Sequence, residues 1–325
     1  MNTFIDYIHS FIEKHALLPA GSTIIVGLSG GPDSVFLLHF LATLKAEKKL
    51  TLIAAHLDHQ WRADSHKDVL FCEQLTLSLA IPFVSMKRSD LPGLYTGSKE
   101  EQGRKARRAF FEQLKKQYHA DAIALAHHAQ DQQETFFMRL MRGTSLTGLT
   151  AIKPSHADYI RPLLKTNKSD IVAYLDEHSI AYLTDPTNSS SDFLRNRIRH
   201  TILPACTQAD ARFNHNFMFS LDRLQETEEL LVDLTQEAFK KIALTSTTGG
   251  TALSLSGLLS LAPLLRQRVI FSWLWKEKVS FTPTQNFLNE IFRFLENKRS
   301  TRHKLGRTWA LVKIKNILTV EKHIP

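Results

Sequence analysis

Asp33 is the residue whose surroundings say most about chemistry. It stands in the run Ser29-Gly30-Gly31-Pro32-Asp33-Ser34, after the apolar stretch Ser22 to Leu28. The residues that follow place Val35, Leu37, Leu38 and Leu41 mostly on one helical face. A strand, a glycine-rich turn and a helix start make a cradle for phosphate. The amides of a helix's first turn lack intrahelical acceptors and carry partial positive charge. Gly30 and Gly31 let the backbone come close to an anion, Pro32 fixes the turn, and Ser29 and Ser34 add hydroxyls. A carboxylate beside such a nest calls for a divalent cation between acid and phosphate. The run has no Gly-Lys-Ser or Gly-Lys-Thr and no G-x-G-x-x-G, so it is neither a Walker loop nor a dinucleotide fingerprint. The plain alternative is an ordinary glycine-serine turn ahead of a helix.

Four further blocks carry candidate chemistry. In His56-Leu57-Asp58-His59-Gln60-Trp61-Arg62, strand alternation sets His56, Asp58 and Gln60 on one side, with His59 and Arg62 in the following loop. A metal site is conceivable there, and contacts to nucleotide or substrate fit better. In His127-His128-Ala129-Gln130-Asp131-Gln132-Gln133-Glu134-Thr135, Asp131 and Glu134 share a helix face. They either complement the helix dipole, or Asp131 joins Asp33 in holding Mg2+ against phosphates. Adjacent histidines point apart, so His127 and His128 suit hydrogen bonds to phosphate or nucleotide better than a zinc pair. Arg104 and Arg108 are i,i+4 neighbours that form either a solvated face or a bidentate grip on phosphate. Finally, Asp185-Pro186-Thr187-Asn188 is turn chemistry, and Arg195-Asn196-Arg197-Ile198-Arg199 concentrates arginines that need anions.

The elements that must position these blocks alternate through the first half. Strands are expected at Ile24 to Leu28, Leu52 to Leu57, Phe83 to Met86 and Ala122 to Ala126, and helices at Ser34 to Ala46, Asp64 to Leu79, Lys99 to Tyr118 and Asp131 to Met141. That alternation predicts an α/β fold with a doubly wound parallel sheet. Ligands of such sheets bind beyond the carboxyl ends of the strands, where each block is expected to begin, so the blocks should converge in space. From about Asp210 the pattern becomes a long helix, Asn214 to Lys241, a turn at Thr245 to Gly250, helices at Leu264 to Lys278 and Thr284 to Asn297, and an alternating tail, Trp309 to Val320. Two domains are therefore expected, residues 1–210 and a smaller, mainly helical C-terminal domain at 211–325.

Composition narrows the class. The formal charge of +9 favours a polyanionic partner such as nucleic acid, and 43% apolar residues suffice for a core. Cys72 and Cys206 are the two cysteines, too few for a disulfide scaffold. Met1 to Leu18 is amphipathic and carries Asp6 and Glu13, unlike a signal peptide, and no stretch is apolar enough to span a membrane. A soluble, cytoplasmic protein is expected. Near the end, Lys298, Arg299, Arg302, Lys304, Arg307, Lys313 and Lys315 surround Trp309. This run is either a solvated tail strand with Trp309 in the core or a grip on RNA.

The Ser-Gly-Gly-x-Asp-Ser run resembles the pyrophosphatase loop of the N-type ATP pyrophosphatases, which have a Rossmann-like fold. With the other blocks, in this order over Ile24 to Pro204, the chain resembles the tRNA(Ile)-lysidine synthetase family. Two departures are visible: Gln130-Asp131 where many members carry two acids, and Gln60-Trp61-Arg62 where Gly-Leu-Arg is frequent. The resemblance implies ATP and Mg2+ as cofactors, and a tRNA(Ile) with a CAU anticodon and free lysine as partners. ATP adenylates the wobble cytidine with release of pyrophosphate, and lysine then displaces AMP to give lysidine. It implies that Ser29, Gly30, Gly31, Pro32, Asp33, Ser34 and His127 bind nucleotide, that Asp33 and Asp131 hold the metal, and that Asp58 or His59 takes the amine's proton. Arg195 joins the catalytic set. Arg104, Arg108, Arg195, Arg197 and Arg199 hold tRNA or the adenylate. The rivals are a tRNA thiolase of the same superfamily and a non-catalytic, nucleotide-dependent RNA-binding protein. Oligomeric state stays open, a homodimer included.

Overall fold

The computed structural model describes residues 3–93, 97–184, 194–245, 250–297 and 299–322. The chain divides into two compact units, Met1–Asp222 and Arg223–Pro325.

The first unit opens with helix α1 (Thr3–Lys14) and then alternates: β1 (Thr23–Gly27), α2 (Pro32–Leu44), β2 (Thr51–Asp58), α3 (His66–Ser78), β3 (Phe83–Lys87), α4 (Lys99–Gln117), β4 (Ala122–Ala124) and α5 (Ala129–Met141). There follow the short α6 (Leu146–Leu149), a hairpin of β5 (Ser155–His156) and β6 (Tyr159–Ile160), α7 (Lys168–Glu177), α8 (Leu194–Arg197) and α9 (Leu203–Ala209). The sheet order is β3-β2-β1-β4-β6-β5. Its pairs are parallel except at the β5 edge, which runs antiparallel to β6. The fold is thus the doubly wound α/β class, with a hairpin edge that the alternation did not foretell.

Strand periodicity divides the core. Ile24, Val26 and Leu28 pack with Ile8, Ile12, Phe36 and Leu37 on one face, while Ile25, Ile53 and Leu57 meet Phe110 and Leu114 of α4 on the other. Strands covered on both faces read as continuous apolar runs for this reason. α2 is buried almost all round, from Ser34 to Leu44, so it is a core helix rather than a one-faced surface helix. The strand order turns back at β1 and β4, from which chain connections leave in opposite directions. This is the crevice where open α/β sheets take ligands.

The second unit contains most of α10 (Phe213–Ile242), within which the division falls, then β7 (Ala243–Thr245), β8 (Thr251–Ser254), α11 (Leu255–Ser260), α12 (Pro263–Lys276), α13 (Gln285–Glu296), β9 (Arg302–Leu305), β10 (Trp309–Ile314) and β11 (Ile317–Lys322). The last strands belong to an antiparallel five-stranded sheet, β7-β8-β11-β10-β9. The expected strand tail therefore supplies two of the five strands of a real sheet, β10 and β11. Lys315 at φ +52 turns β10 into β11. The core gathers Trp273, Ile291, Leu295, Leu253 and Leu311, and the Trp273 indole donates to Thr251 O at 2.8 Å. Among the described residues no helix is long and apolar enough to cross a membrane.

Candidate active site

β1 ends at Gly27, where a Cβ would stand 3.0 Å from both Leu125 and Phe111. The chain then turns through Gly30 at φ +83, a conformation that favours glycine. Leu183 closes over that turn, donating its N–H to Gly30 O at 2.8 Å. Gly31 is the N-cap of α2 and Pro32 its first residue, and no side chain caps the helix. The cradle is braced from within. Ser34 Oγ accepts from Ser29 N–H at 3.1 Å and donates to Gly31 O at 3.0 Å, and the two serine hydroxyls lie 3.1 Å apart. The uncapped start of α2 remains as a site for anionic oxygen.

Asp33 projects from this turn toward the end of β4. Its Oδ2 lies 3.5 Å from His128 Nε2 and 3.5 Å from Lys168 Nζ. Its Oδ1 is buried without a hydrogen-bond partner. Asp131 approaches the same imidazole nitrogen at 3.6 Å, while its Oδ2 accepts from the His128 N–H at 2.9 Å. Asp131 Oδ1 accepts from Arg195 Nη2 at 2.5 Å. Glu134, one turn on, is fully buried and accepts from Arg195 Nε at 2.5 Å and Arg199 Nε at 2.6 Å.

The field of this cluster is decided by pairing. Burial pushes the Asp131 carboxyl up, but His128, His127, Arg195 and the His128 amide together hold it at about 2. Burial pulls His128 down, and Asp33 and Asp131 outweigh it, leaving the imidazole above its ordinary range. His127 has the opposite balance, with burial, Arg161 and Arg195 lowering it to about 4 against Asp131. Two carboxylates converging on one nitrogen, with one buried oxygen unpartnered, form a hard donor set that fits Mg2+. Among the described residues no group of three or more His, Cys, Asp or Glu forms a metal cage. Mg2+ does not need one, since it is commonly held by one or two carboxylates and the substrate's phosphates.

The structure thus brings together Ser29 to Ser34, His127, Asp131 and Arg195. Asp58 and His59 form a separate group at the end of β2. Asp58 Oδ1 accepts from Gln60 N–H at 2.8 Å. His59 stacks on Trp61, and burial with the nearby Arg107 lowers it to about 4, which makes it a poor proton acceptor near neutral pH. Gln60, expected beside His56 and Asp58, leaves the strand at φ +56 and accepts instead from Ser89 N–H at 3.0 Å. Arg104 and Arg108 lie exposed on α4, and Arg108 pairs with Glu112 at 2.7 Å. In this structure one guanidinium of the pair is engaged on its own helix. The block Asp185 to Asn188 lies outside the described residues. Sequence reasoning missed Lys168 and the bracing role of Glu134. Lys168 follows Asn167, the N-cap of α7, and nothing in its neighbourhood marks a charge aimed at Asp33. The i,i+3 spacing of Asp131 and Glu134 was a usable signal for the second.

A glycine turn feeding an uncapped helix, with an acid aimed at a second acid across the switch point, defines a nucleotide-phosphate site. In keeping with it, residues 2–206 match the PP-loop domain, and the chain belongs to that family. Among curated proteins it is similar to the tRNA(Ile)-lysidine synthase of Bacillus thuringiensis subsp. konkukian, 32% identical over 305 residues, which cover 91% of this chain and 64% of the relative. It is also similar to that of Geobacter sulfurreducens, 37% identical over 274 residues, covering 83% of this chain and 58% of the relative. The chain therefore spans less than two thirds of the length of these relatives. Among solved structures, a U34-tRNA thiolase from Methanococcus maripaludis shares the fold, with a TM-score of 0.57 at 17% identity over 69% of this chain and 79% of the other.

Proposed function

We propose that this chain is an ATP-dependent ligase that joins lysine to the wobble cytidine of a tRNA(Ile) with a CAU anticodon. The observation that carries the reading is the convergence of Asp33 and Asp131 on His128 at the uncapped start of α2. The named relatives supply the substrate class.

In this mechanism the first-turn amides of α2 and the hydroxyls of Ser29 and Ser34 orient the phosphates of ATP. The cytosine carbonyl oxygen attacks the α-phosphorus, the bond to the bridging oxygen breaks, and pyrophosphate leaves. Asp33 and Asp131 would hold Mg2+, which would neutralise charge on the phosphates. Lys168 adds positive charge beside Asp33. The lysine ε-amine then attacks the activated ring carbon, gives up a proton and expels AMP. Arg195 keeps Asp131 charged and in place, and Glu134 holds Arg195. Residues 1–210 act as the catalytic domain and 211–325 as a tRNA-binding domain, and the protein works in the cytoplasm, where its tRNA substrate is.

Within the C-terminal basic run, Arg299, Lys304, Arg307 and Lys315 are exposed and suited to phosphates. Lys313 is different. It is buried and its ammonium donates to Phe294 O at 2.8 Å and Asn297 O at 2.6 Å, closing the end of α13. Trp309 packs against the core, and Lys298 lies outside the described residues. A thiolase reading finds less support, because Cys72 is buried and its thiol is pushed up to about 12 by burial and Asp68. The deciding experiment is AMP release from ATP with tRNA and lysine supplied together or singly. Release that needs both supports the ligase; release indifferent to lysine refutes it.

A further inference from the structure

Trp61 is nearly half exposed, at 47%, yet its position is rigidly prepared. The chain leaves β2 through an Asx turn at Asp58 and a left-handed Gln60, whose side chain is tied to Ser89. Trp61 then lies flat on His59, with ring centroids 4.4 Å apart and planes 17° from parallel. The far edge of the indole rests on Gly103 of α4. A Cβ there would stand 2.8 Å from Trp61 Cη2 and Cζ2. Lys99, one turn earlier on α4, holds its ammonium 5.4 Å from the indole centroid. A tryptophan that merely filled a gap would be covered. This one is propped open on a second ring over a glycine.

The surroundings say what would lie on it. An apolar partner would need apolar neighbours, but Gln60, next to Trp61 in the chain, and Lys99, over its ring, are polar or charged and exposed. Arg88 and Arg107 place positive charge on His59 beneath the stack. A flat aromatic ring set among cations suits a flat π-system attached to an anionic backbone. Because β1, β2 and β4 are parallel, Trp61 shares the carboxyl edge of the sheet with Asp33 and His128. It is nonetheless seated on the α4 side, whereas α2 and its phosphate cradle pack on the opposite face.

We infer that Trp61, seated on His59 and Gly103, is a stacking platform for an unpaired base of the RNA substrate, with Lys99 serving the phosphate of the same nucleotide. The inference rests on the RNA-modifying function proposed above and adds to it a base contact outside the phosphate cradle.

The test uses the full chain, a 17-nucleotide anticodon stem-loop RNA with a CAU loop, and ATP as separate probes. Stacking on the indole quenches its emission, and Trp61→Phe removes that component from the signal of the remaining tryptophans. Trp61→Ala should raise the Kd for the stem-loop roughly 5- to 100-fold, the usual range for one base–aromatic stack. Trp61→Phe should recover most of the affinity. Gly103→Ala keeps α4 intact, since alanine favours helix, but its Cβ makes the indole edge shift, so it should weaken RNA binding in the same direction and by less than Trp61→Ala. Binding of ATP should be unchanged in all three. Wild-type RNA affinity in folded Trp61→Ala and Gly103→Ala overturns the platform while leaving the ligase reading intact. So does a Trp61-dependent quench produced by ATP alone, which would assign the ring to adenine. If the wild-type chain binds no stem-loop and no tRNA, the RNA-modifying reading itself falls, and the platform with it.

Discussion

Asp33→Asn separates activity from stability. The carboxylate makes two long contacts, at 3.5 Å to Lys168 Nζ and 3.5 Å to His128 Nε2. The Lys168 side chain is 44% exposed, so that ion pair contributes ~0–1 kcal/mol. The contact to His128 is better shielded and its loss is unfavourable. Against these losses stands Oδ1, buried with no partner, whose desolvation is less costly once the group is neutral. The opposing effects are each of order 1 kcal/mol, so the net change in stability is expected within about 1 kcal/mol, a few degrees in melting temperature. Activity has no such compensation. A neutral amide cannot replace a charged ligand beside the phosphates, and loss of one preorganised electrostatic contact costs ~10²-fold or more in turnover. AMP release with saturating tRNA, ATP and lysine gives the rate, and thermal unfolding gives the stability. Near wild-type turnover in the folded variant refutes the assignment of Asp33 to the metal and phosphates. A variant that fails to fold refutes the view that Asp33 is held for chemistry rather than structure.

Other consequences follow from the same contacts. Glu134→Gln removes a buried counter-charge from Arg195 and Arg199, of which Arg195 keeps Asp131; breaking a buried pair costs ~3–5 kcal/mol, and the partial exposure of both arginines trims this to roughly 2–3 kcal/mol, read by chemical denaturation together with a fall in AMP release. Acid should act in two stages. His59 and His127, each lowered to about 4, stay neutral in the folded chain while the unfolded chain takes up protons, so stability falls as pH drops from about 6.5 toward 4. Asp131, at about 2, contributes on the order of 2 kcal/mol above its unfolded pKa, and this is lost as pH falls from about 4 through 2; melting temperatures across pH, with His127→Asn flattening the first stage, check both. Lys313→Met should destabilise the second unit by about 1–3 kcal/mol with no change in the salt dependence of tRNA binding, whereas Arg299, Lys304 and Arg307 changed together to Gln should flatten the salt slope, by up to ~0.9 per lost phosphate contact.

The first unit was largely readable because its strands are covered on both faces. Thr23–Gly27, Thr51–Asp58 and Phe83–Lys87 fall within a residue or so of their expected bounds, since doubly covered strands are short, apolar and bounded by turns. The pieces that escaped are those whose pattern is too short to have a period. β5 and β6 have two residues each, and β7 has three. Such strands are specified by their partners across the sheet, not by their own sequence. The same reason hid the second sheet. The alternation of Trp309 to Val320 was visible, but its partner strands β8 and β9 have four residues each and lie across stretches of helix and loop.

At the site, a motif marks residues that are neighbours in sequence, and not those that the fold brings from elsewhere. The Ser-Gly-Gly-Pro-Asp-Ser turn carries its own geometry, because Gly30 and the Ser29–Ser34 brace are local in sequence. Lys168 reaches Asp33 from far along the chain, and no local pattern announces it. The arginine block shows the limit most clearly. Clustered guanidinium groups need anions, and sequence alone does not say whose. For Arg195 and Arg199 those anions are Asp131 and Glu134. In the proposed mechanism Arg195 therefore acts first as the brace of a carboxylate that flanks the phosphate cradle, and only through that carboxylate on a nucleotide. If so, Arg195→Lys, which keeps the charge but cannot span both acids with a planar fork, should lower turnover while leaving KM for tRNA nearly unchanged. A selective rise in KM for tRNA would instead make Arg195 a direct contact to RNA.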